Sequence, residues 1–558
     1  MIDRGRVGAS LAGMFTPAPC LTRMLAALAM VLAQARAAVP DGAAIYAEKC
    51  QMCHQPTGQG APPAFPPLAQ ADWLLQDRAR TIRVLCEGLS GPITVNGKTY
   101  RNAMPAQVLD DAQVAAVLTF VTTSWGNTAR PFSVEEVRVA RATSRFKTYA
   151  DLVSATAFQP LPKPPAGYAV REVAQLPEFC TRLASTPRRP GVYVLAQNGG
   201  LYHLDPQGGA LTPVLKPSDY LNPKLGDATA SGCTFDAAGR LWLITNQKID
   251  SAPVEPMAEV TIWRSTAEAD GHPAKLQPWF TVRYPFGNGG FNHGVSHLAF
   301  GPDGMLYVAS GSRTDGGEPC RDPRTKTQGE VDETACVWRL DPRAETPKIA
   351  VIARGIRNPY GFAWDGQGHL FTFSNGPDYS SPEEMDFIEP GKHYGFPYQF
   401  SDLPVRLRFP YPHTPAPPEG VAFTHPVPNL GPAAGGKLGG LFTFDAHSCP
   451  GGVIWCGEDF PAPLGGGFLV TRFGNLLGAP AAPEDVGFDV LSMHLTRRED
   501  GTWQARTETV LAPLGRPLDA HRIGPGRALI LEYTRPISFK DGLGWLPGRI
   551  IELSAAPE

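Results

Sequence analysis

The chain offers little net charge: 50 Lys and Arg stand against 53 Asp and Glu, which leaves −3, and there is no long basic run. That balance carries no electrostatic footprint for nucleic acid. Histidine and methionine are sparse where they would matter. His54 is the only His before His203, and Met52 and Met104 are the only Met residues between Val39 and Thr128. Helical periodicity is scarce after Val170, and past the N-terminal region no apolar run is long enough to span a bilayer. What the chain has in quantity is turn formers. The 59 Gly and 57 Pro sit beside a hydrophobic content of 43%, so many turns and short strands explain them better than disorder does. A length of 558 residues suits two or three domains, one of them large.

The first 38 residues read as an export signal. Arg23 precedes the apolar run Met24 to Leu32, and Ala35-Arg36-Ala37 has the small-x-small pattern of a cleavage site. Cys20 precedes the run, which argues against a lipid-anchor Cys. The expected location is therefore the periplasm, where disulfides persist. By sequence proximity Cys320 would pair with Cys336 and Cys449 with Cys456, Cys180 and Cys233 would link neighbouring repeats, and Cys86 would be left over.

Cys50-Gln51-Met52-Cys53-His54 has the C-x-x-C-H spacing of c-type haem attachment. Two thiols form thioethers to the porphyrin and the following imidazole ligates the iron. The His argues against a redox pair, and no second Cys pair lies at zinc-site spacing nearby. Met52 lies inside the motif and cannot reach the far face, so Met104 is the candidate sixth ligand, where a thioether raises the potential of an electron carrier. The stretch from Tyr46 to Asn127 resembles the small class I cytochrome c domains attached to periplasmic dehydrogenases, which implies an all-α domain over 39–128.

A short helix over Ser133 to Ser144 and the Pro-rich "LPKPPAG" then mark a linker, 129–169. From residue 170 to 558 a unit recurs, a turn followed by an apolar strand: "RPGVYVLAQ", "DAAGRLWLITN", "GPDGMLYVASG", "GQGHLFTFSNG", "LGGGFLVTRFG" and "GPGRALILEY". A second strand follows each. Six units at near-regular intervals predict an all-β, six-bladed β-propeller, with the long gap before the fifth unit holding the Pro-rich insertion Ser401 to Lys437.

Three stretches of this region resemble the glucose/sorbosone dehydrogenase family, six-bladed propellers that use pyrroloquinoline quinone (PQQ). They are "HGVSHLAFGPDGMLYVASGS" from His293, "GIRNPYGFAW" from Gly355 and "NGPDYSSPEEMDFIEPGKHYGFP" from Asn375; "SCPGGVIW" and "GRPLDAHRIGPG" follow weaker patterns. The resemblance implies His293 as general base, since a neutral imidazole can take the hydroxyl proton as a hydride leaves the carbon. His297 is the alternative. It also implies Arg357 and Asn358 on the quinone, where Arg suits a carboxylated ligand, and the carbonyls of Gly376 and Pro377 on a Ca²⁺ that polarises it. Two positions depart from the pattern. Ser312 stands where the family often has an acidic residue, with Asp315 nearby, and Cys456 stands where some members have Lys, with Arg472 as a possible substitute cation.

The combined expectation is a periplasmic quinohaemoprotein with haem c, PQQ and Ca²⁺. It would oxidise an aldose or related hydroxy compound and pass electrons through the haem to a periplasmic or membrane acceptor. Two other readings stay open at this point: an eight-bladed nitrite reductase of the cytochrome cd1 type, and an electron carrier fused to a non-catalytic binding propeller.

Overall fold

The computed structural model describes residues 40–61, 65–89, 93–100, 104, 107, 109–141, 158–205, 207–222, 225, 228–269, 271–287, 293–320, 322–377, 381–404, 414–431, 443–475, 486–534 and 548–556. The leader, Cys20, Pro105 and much of the Ser401 to Lys437 insertion lie outside these residues. The chain forms two compact units. One is built from the segments up to Arg145; the other holds residues 146–558 together with the short segments 87–91 and 102–106. Among the described residues no helix is long and apolar enough to cross a membrane.

The first unit is mainly helical, with one departure from the all-α expectation, a short antiparallel hairpin of Ile93–Val95 and Lys98–Tyr100. Asp41 caps the helix Gly42–Lys49 by accepting from Ala43 N–H at 2.9 Å, and Asp110 and Gln113 form a reciprocal capping box on Asp111–Thr123. These two helices cross at Gly42, where a Cβ would lie 2.1 Å from the Ala116 carbonyl oxygen, so only glycine allows the approach. Tyr46, Phe120 and Trp125 fill the crossing, with ring centroids 4.8–5.5 Å apart. The short helix Gln51–His54 thus starts from a fixed platform. The predicted helix after the domain is present, as Val134–Arg141.

The second unit is a six-bladed β-propeller. Its inner strands are Cys180–Thr186, Ala228–Phe235, Val295–Phe300, Pro359–Trp364, Pro450–Cys456 and Arg516–Gly524, which we number blades 1 to 6. Each inner strand packs on the next, and blade 6 packs back on blade 1, which closes the ring at six and excludes the eight-bladed alternative. Most blades are antiparallel four-stranded sheets. Blade 3 gains a short fifth strand, Lys392–His393, and blade 4 has three described strands. The last sheet is completed by the strand that follows the linker: Tyr168–Gln175 pairs with Gly548–Ala555. The strands recognised from the sequence are the second and third of each blade. The inner and outer strands escaped notice because bulges break the alternation of the inner ones and the outer ones are half exposed.

The axis is pinned by one side chain. Arg182 of blade 1 donates to Ser231 O (2.9 Å), Ser296 O (3.0 Å), Tyr360 O (3.0 Å) and Asp519 Oδ1 (3.0 Å), and so reaches blades 2, 3, 4 and 6. Asp519 returns a second bond, accepting from Leu183 N–H at 2.7 Å. Beside this pair lies an axial cavity of about 180 Å³ that His297 and His521 also line.

The expected disulfides are absent; the nine cysteines from Cys50 onward are all unbridged. Geometry explains one pair at once. Cys449 and Cys456 flank the strand Pro450–Cys456, whose residues advance about 3.3 Å each, so their Cα atoms stand far beyond the roughly 7 Å a bridge can span. Cys336 is buried in the blade core, while Cys320 sits in a loop 3.8 Å from Arg313 Nη2. Cys180 and Cys233 are buried on separate inner strands, the latter lining the axial cavity.

Candidate functional site

In the helical unit, His54 is buried and its Nδ1 lies 3.0 Å from the Pro66 carbonyl oxygen. A carbonyl only accepts, so Nδ1 carries the hydrogen and Nε2 is free to bind a metal. Burial lowers the pKa of the imidazole, which keeps it neutral, as a ligand must be. Cys50 and Cys53 lie at the start and within the same short helix. Met104 is half-buried in a two-residue bridge with Leu89, with N–H to O distances of 2.8 and 2.9 Å, in a segment grouped with the propeller unit.

On the propeller, His293 lies just before the blade 3 inner strand. Its Nδ1 is 3.1 Å from Ser312 Oγ and 3.2 Å from Ser312 O, at the far end of the same hairpin. Burial of the ring, and then the positive charge of Arg357, push its pKa down to about 3. Ser312 N–H in turn donates to Arg357 O at 2.7 Å, which ties this hairpin to the Arg-Asn-Pro turn that opens blade 4. Arg357 is buried. It donates to Asp315 O and Asn375 O, each at 2.8 Å, and pairs with the Asp315 carboxylate. Asp315 therefore serves Arg357 and not the imidazole. Asn358 O accepts from Asn375 N–H at 3.1 Å, and a Cβ on Gly311 would meet both His293 Cβ and Asn358 Oδ1. His293, Ser312, Arg357, Asn358 and the Asn375 to Pro377 loop thus form one connected group.

Gly376 donates its N–H to the buried carboxylate of Glu383, which also accepts from the main chain of His447 and Cys449 in blade 5. Burial raises the pKa of Glu383 to about 7, against the opposing pull of those amides and of Arg357. Sequence reasoning did not single out Glu383, although it lies inside the quoted Asn375 stretch. Among the described residues no donor reaches the carbonyl oxygens of Gly376 or Pro377.

Arg472 is buried in blade 5 and makes a two-pronged pair with Asp489, at 2.8 and 2.6 Å. Its Nη1 has no hydrogen-bond partner and stands 3.6 Å from Asp445. A second buried cation close by was also missed. Arg516 opens the blade 6 inner strand, donates to Gly474 O (3.3 Å) and Asn475 O (3.1 Å), and lies over Phe473 and Phe488. The quoted "GRPLDAHRIGPG" stretch contained it, and an Arg at the mouth of an inner strand was the available signal. Cys456 and His297 lie elsewhere. Cys456 packs in an apolar core with Ile454 and Phe460, and the His297 ring lies against Phe362 in the axial cavity.

Blade 4 carries a further charge cluster. Glu384 and Asp386 are fully enclosed, and Glu384 Oε2 and both oxygens of Asp386 lack a hydrogen-bond partner. Burial, then repulsion between the carboxylates and from Asp402, holds both pKa values far above the ordinary range. Ser401 and Asp402 occupy left-handed backbone at φ of 48° and 59°, a strained conformation for two non-glycine residues that brings Asp402 toward the pair. Among the described residues no three His, Cys, Asp or Glu side chains form a metal-holding group, so a cation here would need backbone oxygens as well.

Comparison with known proteins agrees with both halves. Residues 39–125 match the cytochrome c family model, and residues 234–403 match that of glucose/sorbosone dehydrogenase. Cytochrome c-552 of Thermus thermophilus is 44% identical over 123 residues, 20% of this chain and 79% of that protein. The cytochrome c subunit of the quinone alcohol dehydrogenase of Gluconacetobacter polyoxogenes is 34% identical over 104 residues, 18% of this chain and 22% of that subunit. Among solved structures, the PQQ-bound aldose sugar dehydrogenase of Streptomyces coelicolor aligns at 20% identity and a TM-score of 0.44, over 70% of this chain and 99% of that one. The soluble aldose sugar dehydrogenase of Escherichia coli gives 17% and 0.47, over 70% and 100%. The chain therefore joins a cytochrome c domain to a six-bladed propeller. It belongs to the cytochrome c family in its first domain, and in its second, residues 234–403 match the glucose/sorbosone dehydrogenase model.

Proposed function

We propose that this protein is a periplasmic quinohaemoprotein that oxidises a hydroxyl-bearing carbon of an aldose or related compound. In this reading PQQ sits at the mouth of the propeller and the c-type haem relays electrons singly to a periplasmic or membrane acceptor. The observation that carries it is the connected group of His293, Arg357 and Asn358, with Arg472, itself paired with Asp489 and Asp445, as a further buried cation.

These residues suit a flat, polycarboxylated ligand: buried guanidinium groups meet carboxylates with directional bonds, and Asn358 adds a neutral donor. When bound, the quinone supplies a two-electron acceptor for the hydride leaving the substrate carbon. The chain does the rest. His293 Nε2 takes the hydroxyl proton, Arg357 is held rigid by Asp315 and Asn375, and Glu383 fixes the Gly376 loop by its main chain. Ca²⁺ would find oxygen donors at the Gly376 and Pro377 carbonyls, and the Glu384 and Asp386 carboxylates form a second region that favours a cation. On the haem side, Cys50 and Cys53 would carry the porphyrin, with His54 Nε2 and Met104 as axial ligands.

The test is to add PQQ and Ca²⁺ to the purified haem protein and follow the haem absorption on adding aldoses. Sugar-dependent haem reduction that needs both additions is the expected result. Reduction by dithionite alone, with no sugar able to drive it across a broad panel, would overturn the reading.

A further inference from the structure

Hydrogen bonds decide where the proton of His293 sits. Ser312 O accepts from the His293 main-chain N–H at 3.0 Å and also lies 3.2 Å from Nδ1. Since a carbonyl only accepts, Nδ1 is protonated. The Ser312 hydroxyl donates its own hydrogen to Thr314 O at 2.6 Å, so toward Nδ1, 3.1 Å away, it too accepts. Both contacts select the same tautomer, with Nδ1–H and a bare Nε2.

We propose that Ser312 is the positioning residue that fixes His293 in this tautomer, so that Nε2 is the proton acceptor, and that the base acts with no carboxylate behind it. The inference deepens the dehydrogenase reading and rests on it. The charged groups around the ring bear this out. Arg357 adds a positive charge from the blade 4 turn, and Asp315 is committed to Arg357. Glu330, the other nearby carboxylate, accepts from Arg313 N–H, Thr314 N–H and the Thr334 hydroxyl, and meets the ring only through Thr314 and Ser312. On the blade 2 side the neighbour is the neutral Asn246, which bonds Val295 N–H.

A carboxylate at this place would hold the imidazolium once formed. Here nothing does. In the oxidation the substrate O–H bond would break and an N–H bond form at Nε2, and the quinone, when bound, would supply the acceptor for the hydride that leaves the carbon as it becomes a carbonyl. With Arg357 as a positive neighbour and no carboxylate against it among the described residues, the new imidazolium is a poor place for the proton to rest. The proton leaves for solvent within the turnover, and the base is ready again even in mildly acidic medium.

The readout is independent of the quinone. In the haem-loaded protein without PQQ, selectively labelled histidine is followed by NMR, with the His293 signal assigned by its loss in His293→Gln. The expected spectrum is that of a neutral ring protonated at Nδ1, unchanged between pH 8 and pH 5. Ser312→Asp should bring the titration of His293 up into that window, a shift of at least about a hundredfold in proton affinity, and give the reconstituted enzyme an acid limb in kcat/KM that the wild type lacks. Ser312→Ala keeps the main-chain carbonyl on Nδ1 and loses only the hydroxyl. A minor second tautomer should then rise beside the Nδ1–H form and kcat should fall by up to about tenfold at unchanged KM, while a spectrum and kcat identical to wild type would overturn the role of the hydroxyl. A wild-type ring protonated at Nε2, a wild-type midpoint near the ordinary imidazole value, or a titration unmoved in Ser312→Asp would each overturn the proposal. Should Ser312→Asp fail to fold, the wild-type titration and Ser312→Ala decide it. Because the NMR needs neither quinone nor sugar, failure of the dehydrogenase reading would show instead as absent sugar-dependent haem reduction with the tautomer intact.

Discussion

Replacing Arg182 by Met removes the side chain that holds the propeller's axis, and the structure lets the loss be sized. Four bonds go, to Ser231 O, Ser296 O, Tyr360 O and Asp519, together with the packing of the guanidinium over the Tyr360 ring at 4.6 Å. Asp519 keeps its bond from Leu183 N–H but is left as a buried carboxylate without its cation. Removing one partner of such a pair costs about 3–5 kcal/mol. The three orphaned carbonyls would add to this, though water entering the adjacent cavity can satisfy part of their need. At roughly 2 °C per kcal/mol for a large domain, the propeller should melt about 6–10 °C lower. Urea titration followed by tryptophan fluorescence reads the propeller, while the haem band separately reports the small domain, whose midpoint should not move. The double variant Arg182→Met, Asp519→Leu should recover most of the loss, because an apolar pair leaves no stranded charge. A single variant that costs less than about 1 kcal/mol, or a double variant as unstable as the single, would refute the idea that this pair pins the ring.

Other outcomes follow from the same structure. Met104→Ala should keep covalent haem but lose the low-spin His/Met spectrum and lower the potential; an unchanged visible spectrum would show that Met104 is not a ligand. His293→Ala should retain haem and quinone while the chemical step falls by roughly 10²–10⁴, whereas His297→Ala should affect stability more than turnover. Glu384 and Asp386 bind protons more tightly folded than unfolded, so in chelator their contribution to stability is full at low pH and is lost as pH rises through their raised pKa values. Melting temperature in chelator should therefore fall between pH 5 and pH 8, and added Ca²⁺ should flatten that slope; the same slope with and without Ca²⁺ would count against a cation there.

Much of this was legible in the sequence because chemistry imposes spacing. A haem needs two thiols and an imidazole within one turn, and a propeller needs a turn and an apolar strand in every blade. His54 could therefore be picked out by spacing, and His293 and Arg357 by their place in stretches that resemble a known family. Residues that meet only in space could not. Arg182 and Asp519 lie at opposite ends of the propeller sequence and read as ordinary charges until the ring closes. The use of Asp315 by Arg357, and of Ser312 by His293, depended on the direction in which two loops turn. The expected Cys449–Cys456 pair failed for a related reason, since closeness in sequence along an extended strand means distance in space.

The seam in the last blade bears on how the molecule is made. Tyr168 pairs with Ala555 and Gln175 with Arg549, so the strand that shuts the ring waits, unpartnered, until residues 548–555 have emerged. Until then blade 6 presents a bare edge and the waiting strand is a ready mate for any other, including its counterpart in a second nascent chain. Contacts of such sequence separation form slowly. A ribosome that stalls short of residue 548 yields a product that cannot close at all, and a chain clipped in the linker keeps its seam only if the cut falls before Tyr168. The vulnerable interval in the life of this protein is thus its birth, and holding factors that shield strand edges should matter more for its yield than any single contact in the finished ring.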